Sequence, residues 1–124
     1  MKVSAIFVVA IMFVTVSYAQ TNSFQSLSNE DFAKVLLKKH IQLVDVRTPA
    51  EFAEGHLENA INIDVNNPDF VNNIVCLNKK YAVAVYCRSG KRSKKAAQIL
   101  VDKGYKVYEL NRGLLHWNEK QAVH

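Results

Sequence analysis

A strand-to-helix transition around one cysteine constrains the fold of this chain more than any other feature. Residues 81–86 are rich in Val and Tyr, which favour strands, and residues 94–103 carry apolar side chains at helical spacing. Between them lies a short, basic, glycine-containing loop that begins with Cys87. The pattern predicts a strand, a loop and a helix, with Ser93 as the N-cap residue of that helix.

The thiol of Cys87 is a candidate nucleophile because of its position on this loop. Backbone N–H groups of the loop and the positive end of the helix would both face its sulfur. Arg88, Lys91 and Arg92 add cationic charge beside it. Such surroundings favour the thiolate and suit attack on an anionic substrate. The alternative is an inert, buried cysteine at the end of a strand.

Strand and helix patterns alternate along the rest of the chain. Further strands are predicted near residues 24–27, 42–46, 61–63 and 106–110. Helices are predicted to start near Ser28, Thr48 and Asn67, and Thr48 has a glutamate three residues later, which is typical of a capping box. The second of these helices is expected to end at Gly55. The third is expected to direct its apolar residues inward, namely Phe70, Val71, Ile74 and Val75. The alternation predicts an α/β fold with a central, mostly parallel five-stranded sheet and helices on both faces. Functional loops in such folds lie at the carboxyl ends of strands, where Cys87 is placed.

Residues 1–19 have the layout of a secretory signal peptide. One lysine precedes an apolar run over residues 3–16, and Ser17-Tyr18-Ala19 has small residues at its outer positions. The run is shorter than the about 20 residues of a membrane-spanning helix. We therefore expect cleavage after Ala19, a single domain over residues 20–124 and no stable membrane anchor after cleavage. The expected location is the periplasm, with secretion, an uncleaved anchor or a cytosolic N-terminal helix as alternatives.

The charge balance indicates a local anion site. The chain has 16 Lys and Arg residues against 11 Asp and Glu residues, a net charge of +5. Much of the excess lies between Arg88 and Lys95. A nucleic-acid surface needs a broader basic stripe with exposed aromatic residues, so no nucleic-acid partner is expected. No metal site is expected either, because His56 lacks a second ligand at a suitable spacing.

Three segments of the chain resemble signatures of one known family. The loop Cys87-Arg88-Ser89-Gly90-Lys91-Arg92-Ser93 is similar to the active-site loop of the rhodanese-like sulfurtransferases. Residues 44–62 match nearly every fixed position of its first signature, D-x-R-x-x-x-E-(aromatic)-x-x-G-H-(I/L)-x-x-A. Residues 104–117 resemble the closing signature, in which a Gly-Gly pair precedes a Trp, although Arg112 replaces the first glycine. The resemblance covers most of residues 20–124 and implies a rhodanese-like fold.

The resemblance also implies a chemistry. In this family the loop cysteine accepts a sulfane sulfur and becomes a persulfide. Cys87 would take a sulfur from thiosulfate or a similar small anionic donor and pass it to cyanide or a thiol, by double displacement. No metal and no organic cofactor is implied. The predicted substrate-binding residues are those of the loop, Arg88, Ser89, Gly90, Lys91 and Arg92.

Other functions remain open for the same loop. A non-enzymatic persulfide carrier or redox-binding module would need the same reactive cysteine and would deliver sulfur to a partner protein. Related cysteine-dependent phosphatases use a Cys-x5-Arg loop, whereas Cys87 and Arg92 form Cys-x4-Arg, which favours sulfur over phosphorus. A structural domain with a vestigial site is the remaining alternative.

Several residues of the first signature are interpreted as structural. Asp45, Arg47, Glu51 and His56 are assigned to the support of the fold, and the four-residue spacing of Arg47 and Glu51 allows them to pair. A glycine at position 112 would tolerate a positive φ, so Arg112 either alters the turn or adds charge near the site.

Two further residues are assigned to the core. Trp117 is expected there, as is Cys76 at a helix end, and the alternative for Cys76 is an exposed thiol that forms dimers. The strand between Cys76 and Cys87 spans roughly 20 Å. A disulfide requires Cα atoms about 4.4–6.8 Å apart. We therefore expect no disulfide between the two cysteines.

Overall fold

The structure is a computed structural model, which describes residue 5 and residues 8–11 and 23–118. Most of the predicted signal peptide, including its cleavage site, lies outside the described residues, so its cleavage stays a prediction. Within the described residues, no helix is long and apolar enough to cross a membrane.

Strands and helices alternate from residue 25 onwards, as the sequence predicts. The strands are β1 (Gln25–Leu27), β2 (Gln42–Asp45), β3 (Ile61–Asn62), β4 (Val83–Tyr86) and β5 (Val107–Leu110). The helices are α1 (Asn29–Val35), α2 (Pro49–Glu54), α3 (Phe70–Asn73) and α4 (Lys91–Asp102), with 3-10 turns at Ile74–Cys76 and Leu114–His116. The strands form one sheet in the order β1-β5-β4-β2-β3, and every pairing is parallel. The predicted α/β fold with a five-stranded parallel sheet is confirmed.

The central strand β4 contributes to two hydrophobic clusters, one on each face of the sheet. Val83, Val85 and Cys87 join the cluster that contains the buried residues of α3 and α4. Ala84 and Tyr86 join the cluster that contains those of α1. All four residues of the strand are buried, which is the pattern of a parallel strand covered on both faces.

The predicted helix starts agree with the observed caps at α1 and α2. The Thr48 hydroxyl accepts the backbone N–H of Glu51, and the Glu51 carboxylate accepts the N–H of Thr48, which completes the capping box. Ser28 caps α1 by accepting the N–H of Asp31 at 3.2 Å. Gly55 ends α2. These contacts are local in sequence, which is why the sequence predicts them.

The prediction of Ser93 as an N-cap residue is wrong. The helix begins at Lys91, and its N-cap is Gly90, which has a φ of 98°. Ser93 therefore lies within the first turn, where it is fully buried. Its hydroxyl contacts the Cys87 sulfur and the Glu109 carboxylate in the protein interior and does not cap the helix.

The segment after β3 is less buried than predicted. Phe70 and Ile74 are buried, but Val71 and Val75 are exposed, although we expected all four to face inward. Cys76 is also exposed, so its assignment to the core is wrong. A single helical turn followed by a 3-10 turn directs about one residue in three towards the sheet, which accounts for the difference.

Trp117 packs partly against the core, as expected. Its ring lies edge-on to Phe32, with the ring centroids 5.9 Å apart. It packs against the cluster that contains the buried residues of α1, so it lies on the opposite side of the sheet from α4.

Candidate active site

Cys87 follows β4 directly and lies at the carboxyl end of the sheet. Its side chain is fully buried. The sulfur accepts hydrogen bonds from the backbone N–H of Gly90, at 3.1 Å, and of Ser93, at 3.3 Å. Convergent backbone N–H groups of this kind form a concave site that favours a negatively charged atom. The geometry suits a sulfur that carries a negative charge.

The segment after β5 holds the backbone of this loop in place. The N–H of Leu114 donates to the carbonyl of Cys87, and the N–H of Leu115 donates to that of Arg88, both at 3.0 Å. Gly113 has a φ of 68°, and a Cβ there would lie 2.3 Å from the Arg88 carbonyl oxygen. The loop and this segment are therefore in direct backbone contact.

The replacement of the first glycine by Arg112 does not distort the turn. The positive φ falls at Gly113, and Arg112 is not among the described residues with a positive φ. Its side chain is exposed. An L-residue therefore fits at this position without backbone strain.

A buried polar network lies behind the cysteine, and its central residue, Glu109, was not predicted from the sequence. The Ser93 hydroxyl lies 3.4 Å from the Cys87 sulfur and 2.5 Å from Oε2 of Glu109. Glu109 is fully buried, and Lys94 Nζ lies 3.2 Å from the same oxygen. The sequence did carry one signal for this role, since Glu109 is a charged residue among the strand-forming residues 106–110. A charged residue in a buried strand requires polar partners.

The loop residues predicted to bind substrate differ in their surroundings. Arg88, Ser89 and Lys91 are exposed, whereas Gly90 is buried. Arg92 is partly buried and forms a bidentate ion pair with Glu51, with N–O distances of 2.6 and 2.9 Å. Arg88 and Lys91 therefore have exposed cationic side chains at the loop, whereas the guanidinium of Arg92 is already paired.

The pairing of Arg47 with Glu51 that their spacing allows is not found. Arg47 binds the buried carboxylate of Asp45, with its closest contact at 2.7 Å, and donates to the carbonyl of Gly55. The hydrogen bond to Asp45 raises the pKa of Arg47 above its usual range. Because Glu51 lies on the side of α2 that meets Arg92, each carboxylate has a different arginine as its partner.

The ion pair between Glu51 and Arg92 makes a pH-dependent contribution to stability. The hydrogen bond from Arg92 lowers the pKa of Glu51 from 4.5 to about 2. Because the folded-state pKa is the lower one, the contribution is complete above pH 4.5 and is lost as the pH falls towards 2. We expect Glu51→Gln to lower the free energy of unfolding by about 2 kcal/mol at neutral pH.

Urea unfolding at several pH values measures this effect. The difference between Glu51→Gln and wild type should shrink as the pH falls below 4.5. Glu54→Gln is the matched control, since Glu54 is an exposed residue of the same helix. An equal loss of stability in the two variants would contradict the assigned role of the ion pair.

His56 and the cysteines give no sign of a metal site. The His56 ring is exposed and stacks on Phe52, with its Nδ1 2.9 Å from the Phe52 carbonyl oxygen. Among the described residues, no group of three or more His, Cys, Asp and Glu side chains is arranged to hold a metal ion. Cys76 and Cys87 are both free, as expected.

A small cavity of about 280 Å³ lies beside the loop. Its lining residues come from the segment after β2, from α2, from the loop and from the segment after β5: Arg47, Glu51, Glu54, Arg88, Leu114 and Leu115. The cavity therefore lies between the cysteine loop and the elements that surround it.

Comparison with known families identifies this arrangement. The profile of the rhodanese-like domain matches residues 28–120. The chain belongs to the rhodanese-like domain family. In this rhodanese-like domain the matched region includes the whole sheet from β2 onwards, the cysteine loop and the segment that follows β5. The resemblance noted from the three sequence segments is thereby confirmed.

Relatives of this rhodanese-like domain include proteins named as sulfurtransferases. The thiosulfate sulfurtransferase GlpE of Shewanella oneidensis is 32% identical over 102 residues, which cover 82% of this chain and 99% of that protein. The tRNA uridine(34) hydroxylase of Legionella pneumophila is 30% identical over 103 residues, but these cover only 41% of its length. A rhodanese-like domain protein from Staphylococcus aureus has a crystal structure with a TM-score of 0.69 and 28% identity, covering 78% of this chain and 94% of that one.

Proposed function

We propose that this rhodanese-like domain is a sulfurtransferase that carries a sulfane sulfur on Cys87 as a persulfide. The observation that carries the proposal is the pair of backbone N–H groups, from Gly90 and Ser93, that point at the cysteine sulfur. They are fixed donors placed to stabilise negative charge on sulfur. The similarity to a thiosulfate sulfurtransferase along nearly the full length of that protein supports the same function.

The first half-reaction loads the cysteine. The Cys87 thiolate attacks the outer sulfur of thiosulfate, a new S–S bond forms, and sulfite leaves with the electron pair of the bond that breaks. The persulfide then lies within reach of the loop N–H groups. Because Cys87 has no exposed surface in this conformation, the loop must open on its exposed side, at Arg88 and Ser89, to admit the donor.

The second half-reaction empties the cysteine. Cyanide or a thiol attacks the outer sulfur of the persulfide, and the Cys87 thiolate leaves with the electron pair of the S–S bond. The products are thiocyanate or a new persulfide, together with the free enzyme. Every step is a displacement at sulfur, so no external oxidant or reductant takes part.

The loop cations have separate roles in this proposal. Arg88 and Lys91 are exposed and attract the anionic donor by their charge. Arg92 is held by Glu51, so it links the start of α4 to α2 and contributes its charge from a fixed position. Loss of Arg88 or Lys91 is therefore expected to raise the KM for thiosulfate more than it lowers kcat.

Intact mass measurement after incubation with thiosulfate tests the proposal. A gain of one sulfur atom that is present in Cys76→Ser and absent in Cys87→Ser supports the persulfide, because Cys76 is the other free thiol. Absence of the gain in both variants would refute it. Steady-state release of thiocyanate then separates an enzyme from a persulfide carrier that delivers sulfur to a partner protein, since a carrier loads without appreciable turnover.

We also propose export of the chain through the N-terminal signal sequence, with the periplasm as the destination. The support is the sequence layout of residues 1–19. N-terminal sequencing of the protein purified from its natural source should give Gln20 as the first residue. A protein that retains its initial segment would contradict this proposal.

A further inference from the structure

Glu109 is a buried carboxylate that the proposed displacement steps do not use. It lies on β5 and has no exposed surface. Its partner in the sheet is Val85 of β4, whose side chain packs in the cluster that contains α4, so Glu109 faces α4. Its Oε1 accepts a hydrogen bond from the Ser26 hydroxyl of β1 at 2.6 Å. Its Oε2 is in contact with Ser93. Burial of a charged group of this kind is costly and requires compensating partners.

Ser93 connects this carboxylate to the nucleophile. Its hydroxyl oxygen lies between Oε2 of Glu109 and the sulfur of Cys87, at 2.5 and 3.4 Å. A serine hydroxyl has one proton to donate, and an ionised carboxylate is a stronger acceptor than a carbonyl or a thiol. The Ser93 proton therefore goes to Glu109, and the lone pairs of the hydroxyl oxygen remain available to accept the thiol proton of Cys87.

We propose that Glu109 accepts the proton of Cys87 through Ser93, so that the cysteine and the carboxylate share a single proton. The thiol proton moves from Sγ to the Ser93 oxygen as the Ser93 proton moves to Oε2 of Glu109. Sulfur keeps the electron pair of the S–H bond and becomes the thiolate, and Glu109 becomes a neutral carboxylic acid. No bond between heavy atoms changes. The two hydrogen bonds that join Cys87, Ser93 and Glu109 reverse their direction.

The surroundings of the two end groups suit this exchange. On the sulfur side, the N–H groups of Gly90 and Ser93 receive the negative charge. Because the proton moves from Cys87 to Glu109, the thiolate forms without a second buried anion beside it, and repulsion between two buried anions is avoided. On the carboxyl side, Lys94 donates to the carbonyl of Asn111 at 2.9 Å, so its ammonium keeps a partner when Glu109 is neutral.

Two cationic residues of α4 lie beside this series of hydrogen bonds, and Arg88 and Lys91 carry exposed charges at the loop. Lys94, on α4, contacts Glu109. Arg92, also on α4, interacts electrostatically with Cys87 and is paired with Glu51 from α2. The pKa of Glu51 is lowered to about 2, and that of Arg92 is raised, so this ion pair stays charged throughout the range in which thiols ionise. The neighbouring contact from β1 is the neutral Ser26.

The rate of alkylation of Cys87 by iodoacetamide, measured from mildly acidic to alkaline pH, tests the shared proton. The measurement uses a Cys76→Ser background so that only Cys87 reacts. Two groups that share a proton titrate in two steps that belong to the pair. We therefore expect a two-step rise in rate for this background protein and a single step for Glu109→Gln. Glu58→Gln makes the same chemical change at an exposed site and should keep both steps.

Either of two results would overturn the inference. One is a single step in the background protein, which needs no core variant and so does not depend on whether Glu109→Gln folds. The other is a two-step curve in a folded Glu109→Gln protein, which would assign the extra step to another group such as Lys94. The role of the shared proton in sulfur transfer rests on the proposed function. The alkylation experiment uses no sulfur donor, so it tests the shared proton alone. Failure of sulfur transfer is therefore distinguishable from failure of the shared proton.

Discussion

Replacement of Cys87 with serine is expected to abolish the formation of thiocyanate from thiosulfate and cyanide. The rate should fall by on the order of a thousandfold or more, because a serine hydroxyl neither ionises readily nor forms a stable bond to sulfane sulfur. The substitution is small, and the N–H groups of Gly90 and Ser93 that face Sγ do not depend on the side chain for their position. The fold should therefore survive, and the loss should reflect the chemistry.

The two free cysteines allow a matched control for this variant. Cys76 is exposed at the 3-10 turn, whereas Cys87 is buried in the loop. Cys76→Ser makes the same change outside the loop and should retain the wild-type rate. Thiocyanate release by Cys87→Ser at a rate similar to that of Cys76→Ser would contradict the assignment of the nucleophile.

Replacement of Gly90 with alanine is expected to have the second-largest effect. A Cβ at this position would lie 2.0 Å from the carbonyl oxygen of Asn111 and 3.0 Å from its carbonyl carbon, at a φ of 98°. Both contacts are with backbone, so the start of α4 or the end of β5 must move. The same movement displaces the Gly90 N–H from the Cys87 sulfur. We expect a loss of about 3 kcal/mol in the free energy of unfolding and a large loss of persulfide formation.

Gly104→Ala is the matched control for that variant. Gly104 has a similar φ of 94°, but its nearest neighbour to an added Cβ is Lys79 Nζ at 4.0 Å. Alanine therefore meets the same backbone strain at both sites and steric overlap only at Gly90, so the difference in unfolding free energy isolates the overlap. Equal values for the two variants, with unchanged persulfide formation, would show that contact with Asn111 does not fix the loop.

The local features of the fold could be predicted from neighbouring residues. The capping box of Thr48 and Glu51 depends on residues three apart. The helix stop at Gly55 likewise depends on local backbone preference. Where the prediction relied on periodicity alone, as at Val75 and Cys76, a short 3-10 turn changed which side chains face the sheet.

The pairing of charged groups could not be predicted in the same way. The four-residue spacing of Arg47 and Glu51 allows them to pair, because that spacing places side chains together on a helix. Arg47 in fact precedes the helix and binds Asp45. Arg92, the partner of Glu51, lies 41 residues further along the chain. Only the packing of α2 against the start of α4 brings these two residues together.

The sequence by itself determined the order of strands and helices along the chain, the position of Cys87 at the carboxyl end of a strand and the family resemblance of its loop. These follow from periodicity, local caps and short motifs, which depend on residues close in the chain. The tertiary structure decided what surrounds the sulfur. Glu109 faces Ser93 because parallel pairing places β5 beside β4 and α4 covers that face. The register of two strands is a long-range property, and it is this register that joins the cysteine to a buried carboxylate.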